Sequence, residues 1–257
     1  MNVQEKFVAL KTILEKEVIR ILRIWPQTIM PPIITTSLYF IIFGEILFKD
    51  RIITISGVNI AYSDYLIPGL IIMAIINNAY NNSAFSFSIS KFHKNIEEII
   101  VAPMPVSIVI LGFALGGVVR GLINGLMIFV TVMLFKTIDV YSITITIFIA
   151  FLTAMFFSLA GTINAVFAKT FDDISWFPGF ILTPMMYLGG IFFSIDMLPN
   201  NWRLIAQLNP IYHFVNIFRY NLLGIGEFLS MSLIGIILAN ILLFALTVLA
   251  FKKKMQK

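Results

Sequence analysis

Residues 91–105 read KFHKNIEEIIVAPMP. Two lysines and a histidine open the stretch, Glu97 and Glu98 stand together at its centre, and Pro103 and Pro105 close it. On either side lies an apolar run long enough to cross a bilayer, residues 63–89 before it and 106–135 after it. A short, charged, helix-capable segment between two spans is either a plain connection or a docking surface offered to the water. The flanking runs decide the fold, and the segment between them bears on function.

Composition extends the membrane reading to the whole chain. Of 257 residues, 59% are hydrophobic and 12% charged, against about 25% charged in a soluble domain. These few charges cannot cover a water-facing surface, so the bulk of the chain faces lipid or other spans. That excludes a soluble enzyme and a nucleic-acid-binding domain. The net charge of +5 is no basic groove, because most lysines and arginines fall on one side of the membrane. Cysteine is absent, which removes disulfides and thiolate chemistry. Residues 1–24 mix charged and apolar residues throughout and lack the ordered regions of a cleavable signal peptide.

Taken in order, the chain begins with an amphipathic basic helix. Phe7, Leu10, Leu14, Val18 and Ile21 recur every three to four residues, with Lys6, Lys11, Lys16, Arg20 and Arg23 filling much of the rest. Such a helix lies in the membrane interface. Six spans follow, at about 25–47, 63–89, 106–135, 143–167, 176–193 and 229–251. Pro26, Pro31 and Pro32 should bend the opening of the first. Residues 48–62 form a short loop with a brief strand at 52–55, and Ser63-Asp64 is the expected N-cap of the second span. That span carries Asn77, Asn78, Asn81 and Asn82, amides that must face protein rather than hydrocarbon. The third span carries glycines four apart, at 112 and 116 and at 117, 121 and 125, a pattern that lets another helix approach closely. Residues 194–228 are too polar for a span and too apolar for a solvated loop, which fits short helices dipping into the outer leaflet. The whole is one transmembrane domain, residues 1–257, an all-α polytopic membrane protein.

With both termini on the same side, that side holds twelve of the 18 Lys and Arg and the other holds five, Arg120 lying within a span. The bias places both termini and residues 91–105 in the cytoplasm. There is no G-x-x-x-x-G-K-[ST] phosphate loop, so this chain has no ATP site of that kind. His93 and His213 fall on opposite sides of the membrane and cannot share a metal. Acidic pairs occur only at Glu97-Glu98 and Asp172-Asp173, and no chain of carboxylates crosses the membrane. That disfavours the alternative class, an ion-coupled secondary transporter. Arg120 is read either as a latch onto backbone carbonyls or the amides of Asn77, Asn81 or Asn124, or as a contact for an anionic or polar substrate, or as half of an unidentified ion pair.

Residues 96–103, IEEIIVAP, resemble the cytoplasmic coupling helix of the type-2 ABC transporter permeases. Pro68-Gly69-Leu70 at the start of the second span, Asn209-Pro210 followed by Phe214 and Arg219, and Thr183-Pro184 with Leu188-Gly189-Gly190 resemble that family in the same order. The resemblance implies a permease subunit that is not itself an enzyme. It implies export driven by two copies of a cytoplasmic ABC ATPase, with ATP and Mg on that partner and no cofactor on this chain. The other partners implied are a second copy of this chain and membrane lipid, with no nucleic acid. The ATPase-coupling residues would be Lys91, Lys94, Ile96, Glu97, Glu98, Ile99, Ile100 and Pro103. The pathway, between two permease copies, would be lined from Asn77, Asn81, Phe85, Arg120, Phe180 and Met185. The cargo implied is amphiphilic: a drug-like compound, a lipid-linked saccharide or an envelope component.

Overall fold

The computed structural model describes residues 2–55, 57–93, 104–226 and 230–255. Helix α1 (Val3–Arg23) leads into α2 (Trp25–Tyr39), which continues as a π-helical turn over Phe40–Leu47. A hairpin of β1 (Ile52–Ile55) and β2 (Val58–Ala61) follows, with Ile52 opposite Ala61. Then come α3 (Tyr62–Phe92), α4 (Val106–Met133) and α5 (Ile143–Phe167). A broken helical run follows: α6 (Phe171–Phe177), a π-helical turn (Pro178–Leu182) and α7 (Thr183–Tyr187). After a 3-10 turn (Ile195–Met197) come α8 (Asn200–Leu208), α9 (Pro210–Leu223) and α10 (Ser230–Met255).

Among the described residues, four segments are long and apolar enough to cross a membrane: Trp25–Leu47, Val106–Met133, Ile143–Phe167 and Ser230–Lys254. Together they make the chain a polytopic, almost wholly helical membrane protein. Helix α3 has the length to span but carries too many amides and serines to join them by hydropathy. It is instead the post around which the others pack. Of its 31 residues 23 are buried. Helix α4 meets it through the glycine ladder: a Cβ on Gly121 would stand 3.0 Å from that of Ala79, and one on Gly125 2.6 Å from Ile75 Cγ1. Polar side chains stitch the same seam. Ser83 Oγ donates to the Phe113 carbonyl at 3.2 Å, and Ser158 Oγ of α5 donates to Ala114 O at 2.6 Å. Such bonds are worth about 0.6 kcal/mol each inside a membrane, so close packing carries most of the seam.

Three local expectations change. The first span shows no break at its prolines: Pro31 and Pro32 lie inside α2, and the irregularity comes at its far end as the π-helical Phe40–Leu47. Each of these prolines removes one helical hydrogen bond, which a membrane helix tolerates where neighbouring groups satisfy the freed carbonyls. Ser63-Asp64 is not the cap of α3. Ala61 occupies that position, and Asp64 pairs with Lys136 at 2.6 Å, joining the end of α4 to the start of α3. The fifth apolar run begins at Phe171 rather than 176, with Asp172 and Asp173 in its first turn, where carboxylates favour a helix.

Candidate functional site

The eight residues of α3 that are not buried are few enough to read individually. Asp64, Lys91 and Phe92 sit at the ends, and the other five are Met73, Asn77, Asn81, Phe85 and Ile89. These are spaced four apart and form one open stripe on a post otherwise enclosed by α4, α5 and α9, with Arg20 and Glu17 of α1 reaching it at Asn82 and Ser86. Three sequence-predicted pathway residues, Asn77, Asn81 and Phe85, therefore share one face. The stripe runs along the broken helical segment. The amide of Asn77 donates to the Met73 carbonyl at 3.1 Å and touches Met186 Sδ at 3.5 Å, and Tyr80 stacks on Phe177 at 5.4 Å. Met185, next to Met186, is half-buried, and its carbonyl accepts from Asn209 Nδ2 at 2.6 Å. Phe180 is 71% exposed and stacks on Trp176. It stands on the π-helical turn that interrupts this segment, where Pro178 weakens the helical ladder.

The other amides of the group do something different. Asn78 turns back to the Ala74 carbonyl at 3.0 Å. Asn82 enters a buried polar cluster that sequence reasoning missed. Glu17 of α1 is 1% exposed and accepts hydrogen bonds from Arg20 at 2.7 Å, Ser86 at 2.6 Å and Asn82 at 3.5 Å. Arg20 also donates to Asn82 Oδ1 at 2.8 Å. The groove for α1 is the first glycine pair of α4: a Cβ on Gly112 would meet Ile13 at 2.6 Å, and one on Gly116 would meet Glu17 Cβ at 2.7 Å. The amphipathic helix is thus packed into the bundle by its Ile13–Glu17–Ile21 face rather than lying free. The available signal was Glu17, the one acid on the apolar stripe of α1.

Arg120 lies one turn beyond Gly116, on the side of α4 that receives α1, and Arg20 is the charge acting on it. The expected latch to Asn77, Asn81 or Asn124 is not made. The Asn124 side chain instead donates to the Arg120 backbone carbonyl at 3.0 Å, and Arg120 Nε has no partner among the described residues. The arginine that does latch is Arg219. It donates to the Gly190 carbonyl at 2.7 Å and lies 3.9 Å over the Tyr65 ring, while the Tyr65 hydroxyl donates to the same carbonyl at 2.8 Å. Asn209-Pro210 is a helix start: Asn209 Oδ1 accepts from Ile211 N, and proline takes the first helical position.

Of the sequence-predicted coupling residues, Lys94, Ile96, Glu97, Glu98, Ile99, Ile100 and Pro103 lie outside the described residues. Lys91 is described, and its ammonium is used within the chain. It donates to the carbonyls of Ala165, Val166 and Ala168 at 3.1, 2.9 and 2.5 Å. These are the carbonyls left open at the C-terminal end of α5, which also carries the negative end of the helix dipole. Phe92 packs edge-on against Phe171 at 4.8 Å. The end of α3 that leads into residues 94–103 is therefore tied to α5 and to the start of α6. Among the described residues no group of three or more His, Asp or Glu is placed to hold a metal ion.

Comparison with known proteins agrees with this geometry. Residues 8–223 match the family model described as ABC-2 type transporter. The chain is 46% identical over 240 residues to the inner membrane transport permease YadH of Escherichia coli K12, covering 93% of each protein. The same identity and coverage hold for YadH of Shigella flexneri. A shorter stretch of 73 residues is 29% identical to nodulation protein J of Rhizobium leguminosarum bv. viciae, 28% of each chain.

Proposed function

The chain belongs to the ABC-2 type transporter family, and from that premise we propose that it is the six-span membrane subunit of an ATP-driven exporter of the bacterial inner membrane. Two copies enclose the pathway and two separate ATPase chains, which carry the ATP and Mg, drive it. α3 and the broken run from about residue 176 to 193 complete the six spans, and both termini face the cytoplasm. Closure of the ATPases moves residues 94–103, where Glu97 and Glu98 offer charge and Ile96, Ile99 and Ile100 offer apolar contact. That motion switches access from inside to outside. The cargo is amphiphilic, a drug-like compound, a lipid-linked saccharide or an envelope component. A pathway wall of amides interleaved with Phe85 and Met73 suits such a molecule.

The observation that carries this reading is the open stripe of α3. A helix enclosed on every other side, with amides on its one free face, is stable in a bilayer only where that face meets protein or a polar path. The absence of cysteine makes the test clean. Single cysteines at Asn77, Asn81 and Phe85 should react with a small thiol reagent, be protected by cargo, and change reactivity when ATP is supplied to the complex. Cysteines at the buried neighbours Ala79 and Ser83 should stay inert. Equal reactivity at all five positions, or none that responds to ATP, counts against the pathway.

A carrier coupled to an ion gradient is the competing reading, and Glu17 is the buried carboxylate it would use. Three hydrogen bonds, one of them from Arg20, already occupy Glu17. Export that continues in vesicles without an ion gradient but stops without ATP separates the two.

A further inference from the structure

The polar cluster between α1, α3 and α4 holds two guanidinium groups and one carboxylate. The carboxylate is fully used: Glu17 Oε2 accepts from Arg20 and Asn82, and Oε1 accepts from Ser86. Arg120 makes no ion pair and no side-chain hydrogen bond among the described residues, and the Nε atoms of Arg20 and Arg120 are both buried without a partner. Neither arginine is sealed off. The Arg20 side chain keeps 27% of its exposure, and Arg120 is half-buried. Two positive groups thus act on one another, partly stripped of water, while the one carboxylate is taken up by Arg20, Asn82 and Ser86. An unpaired cation in such a place is costly and is retained where an anion completes it. The guanidinium fork matches a phosphate better than any other common anion.

The outer face of α1 indicates where that phosphate comes from. Lys6, Lys11, Lys16 and Arg23 are exposed beside the exposed apolar side chains of Ile19 and Leu22. The first span begins at Trp25, so Arg20, five residues earlier on the inner edge of that face, stands at headgroup depth. Arg120 is level with it, since α4 runs beside α1 from Gly112 onward, and a helix of 28 residues is longer than the bilayer core, so its opening turns project from it. We propose that Arg20 and Arg120 form a binding site for the phosphate of an anionic phospholipid, with Glu17 holding Arg20 in position. The lipid would be a fixed part of the subunit, wedged where the amphipathic helix meets the bundle. The open stripe of α3 at Asn77 and Asn81 makes no contact with Arg120, so this site is separate from the proposed pathway and does not depend on it.

Trp25 supplies a reporter five residues beyond Arg20, 48% exposed. The chain, with Trp176→Phe and Trp202→Phe so that Trp25 alone fluoresces, is reconstituted without an ATPase into phosphatidylcholine bilayers. These contain a minor fraction of either brominated phosphatidylglycerol or brominated phosphatidylcholine. The anionic quencher should act as though locally enriched, by about fivefold for each cation that binds it. Arg120→Gln should remove about fivefold of that enrichment while leaving the folded, monodisperse species unchanged. Equal quenching by the two lipids, or an undiminished excess in Arg120→Gln, overturns the proposal. Should Arg120→Gln not fold, inorganic phosphate is added to the unsubstituted arginine protein against chloride at equal ionic strength. Phosphate should abolish the excess and chloride only reduce it, and identical effects of the two overturn the proposal. Neither readout involves transport, so its failure leaves the exporter reading intact.

Discussion

At Gly116 a single missing atom decides where a helix goes. Any Cβ there would stand 2.7 Å from Glu17 Cβ and 2.8 Å from its Cγ, closer than carbon atoms pack. Gly116→Val should therefore push α1 off α4 and cost about 1–3 kcal/mol. Thermal unfolding in detergent would show the loss. Gly235→Val, at a glycine with nothing within 4 Å, should leave the midpoint nearly unchanged. Asp173 is the titratable counterpart outside the spans. The backbone N–H groups of Lys169 and Thr170 donate to its carboxylate and hold its pKa below the ordinary 3.8. A depressed carboxyl pKa stabilises above the unfolded value and loses that contribution as pH falls through the folded one. Protection of the α6 amides from exchange should thus hold at neutral pH and decay below 3.8. In Asp173→Asn, which keeps an acceptor without the charge, it should be lower and insensitive to acid. At this scale the sequence was only half legible. Arg120 stood out as a lone charge in a span, yet the charge that acts on it, Arg20, comes from a segment 100 positions away. Arg219 entered only as one residue of the family resemblance and is the buried latch on Gly190.

Helices were far more legible than their partners. The apolar runs locate α2, α4, α5 and α10 because a bilayer imposes a length and a composition that show in one dimension. The strand expected at 52–55 is β1. Periodicity could not tell which face of α1 would be buried, since its stripe suits a bilayer and a protein groove equally. It could not place π-helical turns either, which depend on how one helix is forced past another. Lys91 shows the same limit. By resemblance it is one of the ATPase-coupling residues, and in the structure its ammonium closes the open end of α5. Lys91→Met should remove charge-assisted hydrogen bonds worth about 1.5–3 kcal/mol each, with a smaller net loss because the site is partly wet. Amide exchange should rise in the last turn of α5 and stay level in the middle of α4. If the α3–α5 tie also passes motion from residues 94–103, ATP hydrolysis should persist in that variant while export falls.

At the scale of the whole molecule, the family assignment brings a motor from outside, and the coupling prediction belongs here. Glu97→Ala with Glu98→Ala should leave the subunit in the membrane and its α3–α4–α5 core intact. It should lower export per ATP hydrolysed by tenfold or more if the two carboxylates supply about 1.4 kcal/mol or more of the contact with the ATPase. Flux and phosphate release, measured together in vesicles holding both chains, check it. An unchanged ratio would mean that residues 94–103 are only a connection. The sequence by itself determined that the chain lives in a membrane, where four of its long apolar helices lie and to which family it belongs. These follow from hydrophobicity and from local motifs, both properties of short windows. Only the tertiary structure decided that α3 is the central post with one open face, that α1 is locked into the Gly112–Gly116 groove, and that Glu17 is buried against Arg20, Asn82 and Ser86. Such facts depend on contacts between residues tens to a hundred positions apart. Close packing and charge pairing fix them in three dimensions and leave almost no mark along the chain.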